Sequence, residues 1–171
     1  ATWERYLRYM DIPADMYVLA MAAKTEKGGG AAMEDMVDAV TKLVSRSGRR
    51  IREVKPATTI HGVAGYVDQG LPLMWRIRIT DSFDAALSAR FAARQKMTDP
   101  AAWNETIKPF RKAPRNNGTT DYPHMTMIVG YNPTTKEIAI SDSWGPEFEE
   151  RWMTVEEAAV ISDGQLMIIS W

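Results

Sequence analysis

Two side chains in the last third of the chain, His124 and Asp142, are of types that together can activate a nucleophile. Imidazole titrates near neutrality, so it can take a proton from a thiol and later return it to a leaving group. A carboxylate on the other ring nitrogen fixes the tautomer, orients the ring and favours the imidazolium. A Cys-His-Asp triad would need a cysteine as its third member, and the 171 residues contain none. Trp144, two residues beyond Asp142, is of a type that can shield a His–Asp bond from water and so strengthen it.

The element that must position the pair is the segment HMTMIVGYNPTTKEIAISDSWG, His124 to Gly145. Its alternation on either side of Asn132–Lys136 predicts a β-hairpin. If the turn centres near Thr134, paired residue numbers sum to about 268. His124 then faces Trp144 and Asp142 faces Thr126, which makes His124 and Asp142 diagonal neighbours on one face. Such neighbours are roughly 7–8 Å apart at the backbone, within reach of long side chains. A slip of one residue would send them to opposite faces. Spacing therefore permits a His–Asp bond, and equally a lone strand histidine on a solvated face.

Around the hairpin, the sequence predicts a single α+β domain without internal repeat or linker. Trp3–Met10 reads as a helix, and a second helix is expected from Pro13 to about Lys24, with Pro13 in its first turn. TEKGGG, Thr25 to Gly30, is a loop. Met33, Met36, Val37, Val40, Leu43 and Val44 form a helical stripe closed by Ser47-Gly48. Ile51–Lys55 suggests a short strand and Thr59–Asp68 a helix. Leu73, Trp75, Ile77 and Ile79 alternate with Met74, Arg76 and Arg78, as a strand with one wet face would. Helices are expected over Ser82–Gln95 and from Asp99-Pro100 onward, and a turn at Asn117-Gly118. After the hairpin come a strand at Glu149–Met153, a capping box at Thr154-x-x-Glu157 and a strand at Leu166–Trp171. The arrangement implied is a helical first half packed against a carboxy-terminal antiparallel sheet.

The residues Asp142-Ser143-Trp144-Gly145, following His124 across a hairpin, resemble the His…Asn/Asp-Ser-Trp-Gly signature of papain-like cysteine peptidases. The wording of the whole segment is closer still to the bacteriocin-processing branch of that clan, which also uses Asp where papain has Asn. Gly65 to Ile77, GYVDQGLPLMWRI, is similar to the entry into the second half of those domains, and the opening helix and TEKGGG are similar too. The resemblance implies a papain-like fold and peptide-bond hydrolysis, with His124 as base, Asp142 as its orienter and Trp144 as the shield. It implies a peptide or protein substrate, no cofactor, and an exported location. It also places the nucleophile at the start of the first long helix, where the positive end of the helix dipole stabilises a thiolate. The expected cysteine thus lies a few residues before Ala1, preceded by an oxyanion-hole glutamine, and the chain as given is expected to be inactive alone. Thr2 is a poor substitute without a base of its own. The alternative is a domain without a nucleophile whose cleft binds a peptide or protein without cutting it.

The rest of the chain excludes several other classes. A net charge of −1 and balanced acidic and basic residues give no field suited to nucleic acid. The patch Arg46, Arg49, Arg50, Arg52 and Lys55 reads as a solvated face, as do Lys108, Arg111, Lys112 and Arg115. His61 has no partner at ligand spacing, so neither it nor His124 suggests a metal site. Gly28–Gly30 lack phosphate-loop spacing. No apolar run is long enough to span a bilayer. The methionines of the Met33–Val44 stripe read as core filler, and Met125 and Met127 should face away from His124 by strand alternation. Trp103 and Trp171 are expected in the core. Asp121 is the runner-up orienter, but an extended chain turns it away from His124.

Overall fold

The computed structural model describes residues 1–26, 31–112 and 121–171. The Gly28–Gly30 triplet, Arg115 and the Asn117-Gly118 turn lie outside the described residues, as does the side chain of Asp121. The chain is α+β. Its strands are β1 (Arg50–Val54), β2 (Leu73–Thr80), β3 (Asp121–Asn132), β4 (Glu137–Ser141), β5 (Arg151–Thr154) and β6 (Ser162–Ser170). They form one antiparallel sheet in the order β1-β6-β2-β3-β4-β5. The two strands of the first half thus join the carboxy-terminal ones, and β2 lies inside the sheet.

Helices cover both faces. Trp3, Tyr6 and Leu7 of α1 (Thr2–Tyr9), Leu19 of α2 (Met16–Ala22) and Val40 and Val44 of α3 (Met33–Arg46) pack on one side. Val63 of α4 (Ile60–Val67), Leu87 of α5 (Asp81–Arg94) and Ala158 and Ile161 of α7 (Val155–Ile161) pack on the other, with Leu73, Trp75, Ile77 and Ile79 of β2. α6 (Pro100–Ile107) brings Trp103 and Ile107 into buried positions, with Trp103 Nε1 donating to Glu137 of β4 at 2.9 Å. The expected wet face of β2 is only partly wet. Met74 is fully buried, and Met167, Met74 and Met127 form a row across β6, β2 and β3 beneath the first three helices. Unbranched thioether side chains fill such an irregular gap well.

Several boundaries move for identifiable reasons. Pro13 lies outside α2, because Asp15 is the N-cap, its Oδ1 accepting from the amides of Tyr17 at 2.9 Å and Val18 at 3.0 Å. A carboxylate cap of this kind contributes about 1 kcal/mol, and it overrides proline's first-turn preference. Glu149 precedes β5 because Pro146–Phe148 forms a 3-10 turn that delays the strand to Arg151. Trp171 is 76% exposed, not core: β6 ends at Ser170, and the indole is covered on one side by the Arg49 guanidinium 4.4 Å away.

The hairpin β3–β4 has one feature that decides where its side chains point. Beside the turn, Tyr131 faces Ile138 and Gly130 faces Ala139. Beyond Val129 the register shifts, so that Ile128 faces Ile140 and Met127 faces Ser141. Val129 is thus the extra residue of a β-bulge. An unbroken ladder would have set Asp142 against Met127, on the face away from His124. The bulge returns Asp142 to the register of Thr126 and to the face of His124.

Candidate active site

His124 sits near the start of β3, opposite Ile77 of β2. Asp142 directly follows β4, and its backbone amide donates to the Phe148 carbonyl at 2.8 Å, which folds the Ser143–Phe148 loop back over it. The two side chains meet: His124 Nε2 lies 2.7 Å from Asp142 Oδ1. The Asp142 carboxylate is fully buried, and the His124 side chain is 13% exposed. With Nε2 engaged by the carboxylate, Nδ1 is the ring nitrogen left for other chemistry. Trp144 lies against the imidazole with ring centroids 4.2 Å apart and is itself edge-on to Phe148 at 5.6 Å. Trp144 is 43% exposed, so it roofs the His–Asp bond rather than joining the core. The backbone at Gly145 has φ +145°, a conformation that L side chains rarely adopt, and this lets the loop turn directly after Trp144.

A fourth side chain, which spacing did not signal, completes the cluster. Arg151 on β5 is fully buried and donates from Nη2 to Asp142 Oδ2 at 2.5 Å. Its Nη1 donates to Asp84 Oδ1 at 2.8 Å and Ser88 Oγ at 3.0 Å, both on α5. Burial pushes the Asp142 carboxyl up, but the hydrogen bonds and charges of His124 and Arg151 outweigh it. The carboxyl is held below the usual carboxylate range. It therefore stays ionised while it orients the imidazole.

The amino end of α1 lies beside this pair. Thr2 Oγ1 donates to the Met125 carbonyl at 3.2 Å and lies 3.2 Å from Ser143 Oγ. Arg5 of α1 donates to the Asp142 carbonyl and pairs with Glu149 at 3.5 Å. Ala1, Thr2, His124 and Ser143 line one end of a groove of about 610 Å³, whose walls continue into Met16, Tyr17, Met33 and Met36. Met125 keeps the alternation, packing with Met127 on the face of the first three helices, and it also lines this groove. Met127 does point into the core.

The remaining sequence candidates lie elsewhere. His61 is exposed on α4. Arg49 donates to the Met10 carbonyl, Arg52 to Ser170 Oγ, Arg111 to Asn104 and the Thr135 carbonyl, and Lys108 to Glu105. No helix among the described residues is long and apolar enough to cross a membrane.

No protein-family model matches the sequence, and no curated protein sequence matches it significantly. Among solved structures, the chain is similar to the peptidase domain of Streptococcus ComA, a bifunctional ABC transporter involved in a quorum-sensing pathway. The TM-score is 0.54 at 13% identity, over 99% of this chain and 88% of that one. The fold is papain-like. At that identity the likeness speaks for the fold alone, and the assignment of roles rests on the side chains described above.

Proposed function

We propose that residues 1–171 are one papain-like peptidase domain that hydrolyses peptide bonds through a Cys-His-Asp triad, with the nucleophile supplied by residues that precede Ala1. The observation that carries the reading is the 2.7 Å contact between His124 Nε2 and Asp142 Oδ1, made where His124 borders the amino end of α1. In this reading Nε2–H donates to the carboxylate, and bare Nδ1 accepts a proton from the nucleophile.

In this reading a thiol held just before α1 passes its proton to Nδ1, giving a thiolate–imidazolium pair. The dipole of α1 and the Asp142 charge both favour that pair. The thiolate attacks a peptide carbonyl, and the free amides of the first turn of α1 face the developing oxyanion. The Nδ1 proton then goes to the leaving amine, the C–N bond breaks, and an acyl-enzyme remains. Water, deprotonated by Nδ1, attacks the thioester carbonyl, and the returned proton restores the thiol as the acid leaves. Trp144 keeps bulk water from the Nε2–Oδ1 bond throughout. The groove's apolar wall suits a peptide with apolar side chains beside the scissile bond.

The test is peptide cleavage by a form of the protein that includes the residues coded upstream of Ala1. A cysteine there, and cleavage abolished by iodoacetamide, support the peptidase. Peptide binding in the groove without cleavage, and no cysteine upstream, favour the second reading, a binding module. The cysteine-free chain is the observation that keeps that reading in play.

A further inference from the structure

We infer that Arg151 is a positioning residue for His124, and that its grip is what demands a carboxylate rather than a carboxamide at position 142. The inference rests on the base role proposed for His124 and adds to it the reason for the acid. Each oxygen of Asp142 serves a different donor, Oδ1 facing His124 Nε2 at 2.7 Å and Oδ2 facing Arg151 Nη2 at 2.5 Å. The carboxylate is wholly buried, so solvent does not stand in for either partner.

An asparagine has one acceptor oxygen and one donating NH2 group. With its oxygen toward His124, the NH2 is set against the guanidinium, donor against donor. With its oxygen toward Arg151, the NH2 meets Nε2, which must then accept. The ring proton moves to Nδ1, the nitrogen that has to be bare to take a proton from the nucleophile. A carboxylate satisfies both donors at once and holds the ring in the productive tautomer.

Arg151 imposes this demand because it is itself immobilised. Its far nitrogen is held by Asp84 and Ser88 on α5, and its guanidinium lies 4.9 Å from the Phe148 ring and 5.9 Å from the Trp144 ring. A planar fork fixed at both ends sets the position of Asp142, whereas a lysine would bring only a point charge. Through this path α5 helps to aim an imidazole on β3.

The tautomer of His124 is read directly from long-range 1H–15N correlations of its imidazole ring in the 171-residue protein. The chain has only two histidines, and exposed His61 serves as the internal reference. The natural protein should show the Nε2–H form of His124. Asp142→Asn should shift the ratio several-fold toward Nδ1–H, and Arg151→Met added to Asp142→Asn should shift it back. Arg151→Lys alone, with the carboxylate kept, should retain the Nε2–H form, because an ionised carboxylate only accepts. An Nε2–H form retained in Asp142→Asn, or a double variant equal to the single one, overturns the inference. Should the Arg151 variants fail to fold, Asp84→Asn with Ser88→Ala, added to Asp142→Asn, frees the far end of Arg151, and a several-fold shift back toward Nε2–H is expected; no shift overturns the inference. Neither measurement needs a nucleophile or turnover. A protein with these shifts but no peptidase activity when extended upstream sinks the peptidase reading alone. An active enzyme whose His124 is indifferent to Arg151 sinks this inference alone.

Discussion

Two buried arginines hold carboxylates on the same side of the sheet, and they end in different places. Arg90 of α5 grips Glu157 with both terminal nitrogens, at 3.0 and 2.6 Å, under the Phe110 ring. Glu157 spends its remaining capacity on the Thr154 amide at 2.9 Å and hydroxyl at 3.0 Å, which is the capping box of α7. Both oxygens of Glu157 and both terminal nitrogens of Arg90 are met by protein, and none of these contacts ends at the groove. Arg151, by contrast, grips Asp142 with one nitrogen and leaves the other oxygen to His124, whose ring borders the groove. The same chemistry therefore gives a sealed strut in one region and an open-ended clamp in the other. The difference lies in whether the last group in the chain of contacts still has an atom free for chemistry.

That contrast can be broken or sharpened experimentally. The largest effect is expected at the open end: in the form carrying the upstream residues, His124→Ala should lower kcat by about 10²–10⁴-fold, the range for loss of a general base, and should cost about 1–3 kcal/mol of stability, because buried Asp142 Oδ1 loses its donor. Steady-state peptide hydrolysis beside a thermal melt checks both halves. Next comes the sealed cluster. Glu157→Ala leaves Arg90 buried and unpaired, and should cost about 3–5 kcal/mol. For a chain of this length that is roughly 6–20 °C in Tm. The His124 tautomer should not move; if it does, the two clusters are not independent.

The pH dependence of stability separates them further. The Asp142 carboxyl is held below the usual range in the folded protein, so the unfolded chain binds its proton more readily. The stability this contributes is present above the unfolded carboxylate value and is lost as pH falls through the lowered folded one. His124, Arg151, Arg5, Asp84 and Tyr122 are the charged or titratable groups around it. Urea unfolding from about pH 5 downward should show a shallower loss in Asp142→Asn than in the natural protein. An identical slope would mean that the carboxylate is not held as described. The smallest effect is expected at the roof. Trp144→Ala removes the ring contacts to His124 and Phe148, each worth about 0.5–1.5 kcal/mol, and should reduce activity by roughly tenfold or less. Amide exchange around Asp142 should quicken.

What was legible in the sequence follows the range of the interactions involved. The stripe of α3, the alternation of β2 and the capping box are set by neighbours within a turn or two, and period and cap residues reveal them. The meeting of His124 and Asp142 was legible for a less direct reason. The turn assumed in the symmetric reading is offset, since Asn132 pairs with Glu137, and the bulge at Val129 cancels the offset before the ladder reaches Met127 and Ser141. Gly130, a glycine inside a strand pattern, was the available sign of that bulge. Arg151 left no local sign. Its partner Asp84 is 67 positions away on a helix, and only the packing of α5 against β5 brings them together. Trp171 was misplaced for the converse reason, since hydrophobic character says nothing of where a ladder stops.

The most direct test of the central claim is the pH profile of iodoacetamide alkylation in the form that includes the residues upstream of Ala1, with and without His124. The account predicts a single thiol near the start of α1 that reacts at pH values well below the ordinary thiol range of about 8.5, and that loses this early reactivity in His124→Ala. A thiol that titrates in the ordinary range and ignores His124, or no thiol there at all, would contradict it.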